Sequence, residues 1–284
     1  MATPFTGGEI DEDAIRSNVA RWMREGLGGV LALGTNGEAA LLDDDESERV
    51  VAAARQEVPR ERVLLAGVGR ESTKLTIATA RRAIAAGADA LLVRPPVIYR
   101  SRISEQALAA HYRAVADEST VPILLYNFPT MFGVTLGADF VRCVADHPNV
   151  IGIKETSTDS AQFVELSAIA PGRFTVLAGS APGLYPAMCA GAAGGIVAIA
   201  CVLPSACLEL FDLARAGRHE EARAAQRRLM PLAKAVTSIY GIPGLKAAMD
   251  FMGYEGGDPR PPLGPVPAEG AGKIRAMLAS AGYL

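Results

Sequence analysis

The run Val150-Ile151-Gly152-Ile153 ends abruptly on Lys154, followed by Glu155-Thr156-Ser157. Strands buried on both faces read as continuous apolar runs rather than as alternation. Lys154 is therefore expected at the mouth of whatever this strand lines. A partly desolvated ammonium gives up its proton more readily than one in water, and the free amine can condense with a ketone to a Schiff base. The plainer reading is a lysine marking the strand's exit into water, since lysine is almost never fully buried. A second apolar run ends on a second ionisable group, Tyr126. A tyrosine beside a Schiff-base lysine can shuttle protons without adding a competing positive charge. Taken alone, Tyr126 reads as a rim aromatic with its hydroxyl in water. Gly34-Thr35-Asn36-Gly37 offers hydroxyl, amide and backbone N–H donors ahead of a helix, which suits a carboxylate. It also reads as a tight turn that simply needs glycine.

These residues require elements that bring strand ends together. Strands are expected at Val30–Leu33, Val63–Ala66, Ala90–Val93, Ile123–Tyr126, Val150–Ile153, Thr175–Ala178 and Gly195–Ile199, with helical stretches between them. Such alternation implies right-handed βαβ units and a parallel sheet. Only Met1 to Phe5 is available for an eighth strand before the helix at Asp13–Arg24, so the first strand is expected to be truncated. The fold expected is an α/β (β/α)8 TIM barrel over residues 1–204, with an open doubly wound sheet as the alternative. After residue 204 the pattern is helical only: Ser205–Ala216, Glu220–Ser238, Gly244–Met252 and Ala268–Ala281, with breaks at Gly217-Arg218 and Ile242-Pro243. Residues 205–284 are therefore read as a C-terminal helical extension packed on the barrel. In a barrel the active site lies at the C-terminal strand ends. There stand Thr35-Asn36, Tyr126, Lys154 with Thr156 close by, and Gly179-Ser180.

Composition narrows the function. The 284 residues are half hydrophobic and carry a formal net charge of -3, and the charges are scattered. Nothing in that pattern favours nucleic acid or a membrane surface as a partner. The longest acidic cluster, Asp43 to Glu46, reads as a helix N-terminus. Cys143, Cys189, Cys201 and Cys207 form no CxxC pair, and His111, His147 and His219 do not cluster with them. Neither a disulfide framework nor a metal site is expected, and a cytoplasmic location is. Gly191 to Gly195 lacks the spacing of a dinucleotide fingerprint and reads as close helix–strand contact. His111 reads as structural.

Together, Gly34-Thr35-Asn36-Gly37-Glu38, Tyr126-Asn127-Phe128-Pro129, Gly152-Ile153-Lys154-Glu155 and Ala178-Gly179-Ser180 resemble the class I pyruvate aldolases, the superfamily of dihydrodipicolinate synthase and N-acetylneuraminate lyase. The similarity covers nearly the whole chain. It implies a (β/α)8 barrel with extra C-terminal helices, no metal, a covalent imine in place of a cofactor, and a homotetramer. It also implies Lys154 as the Schiff-base lysine, Tyr126 as the proton relay, and Thr35 with Asn36 as the carboxylate-binding pair. A further catalytic tyrosine, often donated across a dimer interface, falls on Tyr99, and the backbone contact to pyruvate falls near Ile196. Thr156, Gly179 and Ser180 are counted with the substrate-binding residues.

Three segments lean toward 4-hydroxy-2-oxoglutarate aldolase within that family: Tyr99-Arg100-Ser101-Arg102, Val176 to Ser180, and Tyr240 to Lys246. The synthases carry an arginine five residues after the relay tyrosine, where this chain has Met131. Arg100 or Arg102 is then the candidate to hold a second carboxylate, although both also read as solvated loop residues. The expected reaction interconverts a 4-hydroxy-2-oxo acid with pyruvate and an aldehyde, glyoxylate being the favoured one. The rival readings are a 2-keto-3-deoxy sugar-acid aldolase, a 4-hydroxy-tetrahydrodipicolinate synthase, and a barrel that binds an oxo acid without turning it over.

Overall fold

A computed structural model describes residues 1–284. The chain opens with a hairpin, β1 (Phe5–Thr6) paired antiparallel with β2 (Glu9–Ile10). Gly7 and Gly8 make the reversal at φ 62° and 88°, the left-handed region that glycine enters without steric cost. This corrects the expected strand over Met1–Phe5. Pro4 has no N–H to give a ladder. The Met1 amino group donates to the Leu31 carbonyl and the Thr3 hydroxyl to the Gly37 carbonyl at 2.7 Å.

Helix α1 (Glu12–Arg24) follows, and then strands alternate with helices. The strands are β3 (Gly29–Ala32), β4 (Val63–Gly67), β5 (Ala90–Val93), β6 (Ile123–Asn127), β7 (Val150–Glu155), β8 (Thr175–Ala178) and β9 (Gly194–Gly195). They form one sheet in chain order, and every pair from β4 onward is parallel. Between them lie α2 (Asp44–Glu57), α3 (Thr73–Ala85), α4 (Glu105–Glu118), the short α5 (Pro129–Phe132), α6 (Ala138–Val144), α7 (Ser160–Ser167) and α8 (Leu184–Cys189). Asp11, Asp43, Ser72, Ser104 and Asp159 start α1, α2, α3, α4 and α7 by accepting a first-turn N–H. The acidic run at 43–46 is a capping box in which Asp43 and Glu46 each accept the other's backbone N–H. This is the strand–helix order of a (β/α)8 barrel with a C-terminal helical extension.

The last strand is shorter than the expected Gly195–Ile199. It stops at Gly195, and Ala198–Cys201 winds into a 3-10 turn that buries Ile199. The extension contains α9 (Pro204–Arg215), α10 (His219–Lys234), a π-helical turn at Ala235–Ile239, α11 (Gly241–Phe251) and α12 (Ala268–Ser280). Ile242-Pro243 does not break it. Pro243 sits in the first turn of α11, where its missing N–H would have had no helical partner.

The chain divides into two compact units, Leu65–Ile196 and Met1–Leu64 with Val197–Leu284. The core of the first is built from strand side chains such as Leu91, Leu92, Ile123, Leu125 and Ile153. In the second, Val19 and Trp22 of α1 share the interior with Leu229, Leu245, Met249, Ile274 and Leu278. The Trp22 indole N–H donates to the Cys201 carbonyl at 3.2 Å, so its one polar atom is satisfied inside that core. No helix is long and apolar enough to cross a membrane.

Candidate active site

Strands β6 and β7 pair so that Tyr126 lies opposite Lys154 and Asn127 opposite Glu155. Residues directly opposite in register share a face of a sheet, and the next pair points to the other face. Lys154 and Tyr126 are both buried, at 5% exposure each. Lys154 Nζ donates to Tyr126 Oη at 3.1 Å and lies 4.2 Å from the centre of its ring. Phe132 meets the same ring edge-on at 5.1 Å, and Phe128 lies 6.2 Å away. The expected amine and phenol are thus brought together in an aromatic setting that excludes water. Lys154 does not mark an exit into solvent.

Beneath this pair is a polar cluster that sequence reasoning missed. Glu155 is fully buried and no cation touches it. Its carboxylate accepts from Asn127 Nδ2 at 2.7 Å, Gln162 Nε2 at 2.5 Å and the Ser157 N–H at 2.6 Å. Asn127 Oδ1 in turn accepts the Leu136 N–H at 2.9 Å. A buried carboxylate needs such donors in full. Together they tie the ends of β6 and β7 to the start of α7. The available signal was the polar residue that directly follows each of Tyr126 and Lys154, in strands otherwise apolar.

Thr156 and Gly179 frame the lysine stem. A Cβ built on Gly179 would lie 2.1 Å from Thr156 Oγ1 and 3.0 Å from Lys154 Cε, so only glycine fits there. The Thr156 hydroxyl is buried and has no hydrogen-bond partner in the chain. A buried hydroxyl without a partner is a ready contact for a ligand oxygen. Ser180 follows at the head of the 3-10 turn Ala181–Gly183. The Ile196 N–H donates to the Ala178 carbonyl at 2.8 Å.

The remaining candidates of this unit are spread along one loop. Tyr99 is 70% exposed and takes no part in the Lys154–Tyr126 contact. Arg100 and Arg102 share the 3-10 turn Arg100–Arg102 and are exposed. Arg100 lies against Gly133, where an added Cβ would meet its Nε at 2.6 Å, and Nη1 donates to the Val97 carbonyl at 2.9 Å. A cation therefore rests on the α5 turn that carries the exposed Met131. Val97 and Ile98 in that loop donate their N–H groups to the Glu71 carboxylate, which also pairs with Arg94 at 3.0 Å. His111 is buried, with Nδ1 2.9 Å from the Thr73 hydroxyl, and burial pushes its pKa down.

In the other unit, Thr35 and Asn36 begin the 3-10 turn Thr35–Gly37 and are half-buried. The residues on either side of the turn are both left-handed without being glycine, Leu33 at φ 56° and Glu38 at φ 55°. Each costs on the order of 1–2 kcal/mol. Such strain persists where surrounding contacts over-determine it, and it gathers at functional sites. No group of three or more His, Cys, Asp or Glu side chains is placed to share a metal ion.

The model of the dihydrodipicolinate synthetase family matches residues 1–281. A 4-hydroxy-tetrahydrodipicolinate synthase of Xanthomonas campestris pv. campestris is 40% identical over 231 residues, which are 81% of this chain and 76% of that protein. A protein of Emericella nidulans named "Probable 4-hydroxy-2-oxoglutarate aldolase, mitochondrial" is 34% identical over 278 residues, 96% of this chain and 90% of its own. Among solved structures, the E. coli K12 prophage protein YagE, of the dihydrodipicolinic acid synthase family and in complex with pyruvate, superposes with a TM-score of 0.93 at 26% identity, covering 100% of this chain and 97% of that one. The chain belongs to the dihydrodipicolinate synthetase family and is a carbon–carbon lyase of the class I, pyruvate-dependent aldolase type.

Proposed function

We propose that the protein cleaves 4-hydroxy-2-oxoglutarate to pyruvate and glyoxylate through an imine on Lys154. The observation that carries this is the buried Lys154–Tyr126 contact at 3.1 Å. The neutral amine attacks the C2 carbonyl, and the adduct loses water to give a protonated imine. Tyr126 takes the proton of the C4 hydroxyl. The C3–C4 bond breaks, its electron pair moves into the imine as an enamine, and the aldehyde leaves. Protonation at C3 and hydrolysis release pyruvate and restore Lys154. The imine is the electron sink, so the step requires neither metal nor organic cofactor. Thr35 and Asn36 hold the C1 carboxylate, with Thr156, Gly179, Ser180 and the Ile196 carbonyl lining the oxo acid. The reading extends to a cytoplasmic homotetramer with Tyr99 at a subunit contact, which fits that residue's exposure. Neither nucleic acid nor membrane is a partner.

Arg100 supports glyoxylate as the aldehyde. It brings a guanidinium onto the α5 turn, and a bidentate cation suits a second carboxylate. Borohydride reduction with pyruvate should add a reduced pyruvyl group at Lys154, and an unmodified lysine overturns the imine. Arg100→Ala should lower kcat/KM for the dicarboxylic aldol by about a hundredfold while sparing a sugar-acid aldol. Equal effects on both would remove Arg100 from substrate selection.

The second reading, 4-hydroxy-tetrahydrodipicolinate synthase, is favoured by the name of the 40%-identical relative. Against it stands Met131, a side chain unable to grip the aldehyde's carboxylate. Comparing pyruvate release from hydroxyoxoglutarate with pyruvate consumption in the presence of aspartate semialdehyde decides between the two.

A further inference from the structure

Glu38 closes the Thr35–Gly37 turn, and its side chain runs inward rather than to water. Glu38 Oε1 lies 2.6 Å from Lys246 Nζ of α11, with side-chain exposures of 0% and 2%. Glu38 Oε2 accepts the Arg260 N–H at 2.8 Å, and Lys246 Nζ also donates to the Asp258 carbonyl at 2.7 Å. Lys246 further lies 4.5 Å from the centre of the Phe5 ring. The other side of the turn is held by the Thr3 hydroxyl on the Gly37 carbonyl. The turn is therefore clamped from the N-terminal segment and from the C-terminal extension, and only Thr35 and Asn36 are left partly open.

A fully buried ion pair is an expensive way to gain stability, because desolvation of both charges offsets their attraction. Apolar side chains of similar size would fill the same space at lower cost. What the pair does supply is a fixed direction for Glu38, whose backbone is held left-handed at φ 55°. Burial pulls the Lys246 pKa down, and Glu38 opposes that pull.

We propose that Glu38 and Lys246 are positioning residues for the 2-oxo acid carboxylate: their ion pair holds the Thr35–Asn36 turn in its strained form, so that helix α11 sets the affinity of the turn for the ligand. The inference rests on the carboxylate role proposed above for Thr35 and Asn36. Glu38→Gln, Lys246→Met and the double variant test it in the full chain. The readouts are the pyruvate concentration giving half-maximal borohydride trapping at Lys154, and kcat against KM for the aldol. Each single change should raise half-saturation and KM by about tenfold or more, with kcat held within about threefold. The double variant should be no worse than the poorer single, because both remove one interaction. Lys246→Gln removes the charge and keeps a donor for the Asp258 carbonyl, and it carries the same expectation should Lys246→Met fail to fold. Unchanged half-saturation in a folded Lys246 variant overturns the proposal while the imine stands. Absence of any adduct in the unaltered protein overturns the aldolase reading, and this inference with it.

Discussion

Lys154 Nζ meets Tyr126 in two ways at once, 3.1 Å from its hydroxyl and 4.2 Å from its ring centre. The hydroxyl contact is a path for a proton. The ring contact sets Lys154 Nζ over the aromatic face and fixes the direction of its side chain. Tyr126→Phe separates them, keeping the ring and removing the acid. In that variant the lysine should still be trapped as a pyruvate adduct. Steady-state aldol cleavage should fall by about 10²–10⁴-fold, the usual loss for a positioned proton carrier. A variant that loses adduct formation and cleavage in equal measure would mean that Tyr126 acts before the bond-breaking step.

Gly179 controls the space around the lysine stem. Its missing Cβ is the gap into which Thr156 Oγ1 and Lys154 Cε converge. Gly179→Ala places a methyl group on that spot, against Thr156 Oγ1 and the Lys154 stem. Overpacking of this kind costs about 1–3 kcal/mol, and the protein should still fold. Imine formation should slow far more than the melting temperature suggests. Single-turnover trapping with pyruvate reads this directly, and a normal trapping rate would show that the stem moves freely.

Glu155 is the buried carboxyl group that ties the ends of β6 and β7 together. Its three donors come from β6, α7 and the turn after β7. Glu155→Gln keeps the volume but turns one acceptor into a donor facing donors. Hydrogen bonds to charged groups contribute about 1.5–3 kcal/mol each. Urea unfolding should therefore show a loss of about 2–3 kcal/mol. Activity should fall as well, since Tyr126 and Lys154 immediately precede the two linked residues. Full stability in the Gln variant would mean that an amide serves these three donors as well as the carboxyl group does.

The strands were legible because most are short apolar runs, and four of the seven, β3, β4, β5 and β7, are followed by a helix with a side-chain cap; those signals are local. Lys154 and Tyr126 were legible for the same reason, as polar residues closing apolar runs. Three features were not. The hairpin at the start depends on Gly7 and Gly8 taking positive φ, and the apolar character of Met1 to Phe5 says nothing about that. The last strand ends two residues in, because Ala198–Cys201 turns inward to bury Ile199, a tertiary demand that overrides strand propensity. The ion pair of Glu38 with Lys246 joins residues far apart in the chain, and neither partner carries a local mark of burial. Glutamate after a glycine turn and lysine in a helix both read as surface residues until the fold puts them face to face.

The Glu46–Arg260 pair ties part of the fold's stability to pH. Glu46 is mostly buried, and Arg260 reaches it with two nitrogens at 2.6 Å each while also donating to the Leu41 carbonyl at 3.0 Å. The hydrogen bond from Arg260, more than any other contact, holds the Glu46 carboxyl below the usual carboxylate range. A carboxyl with a lower pKa folded than unfolded binds fewer protons in the native state, so stability rises with pH across that window. Its contribution is complete above the unfolded value of about 4.3 and drains away as the pH falls through the lower folded one. Glu46→Gln preserves the capping box, which accepts glutamine at that position, and removes the charge together with one of the two acceptors that Arg260 uses. The variant should be less stable than the parent by about 2 kcal/mol at pH 7. The two curves should converge below about pH 4 when chemical denaturation is repeated across the acid range. A constant gap at every pH would mean that Arg260 holds Glu46 by shape and hydrogen bonding, with no contribution from its ionisation.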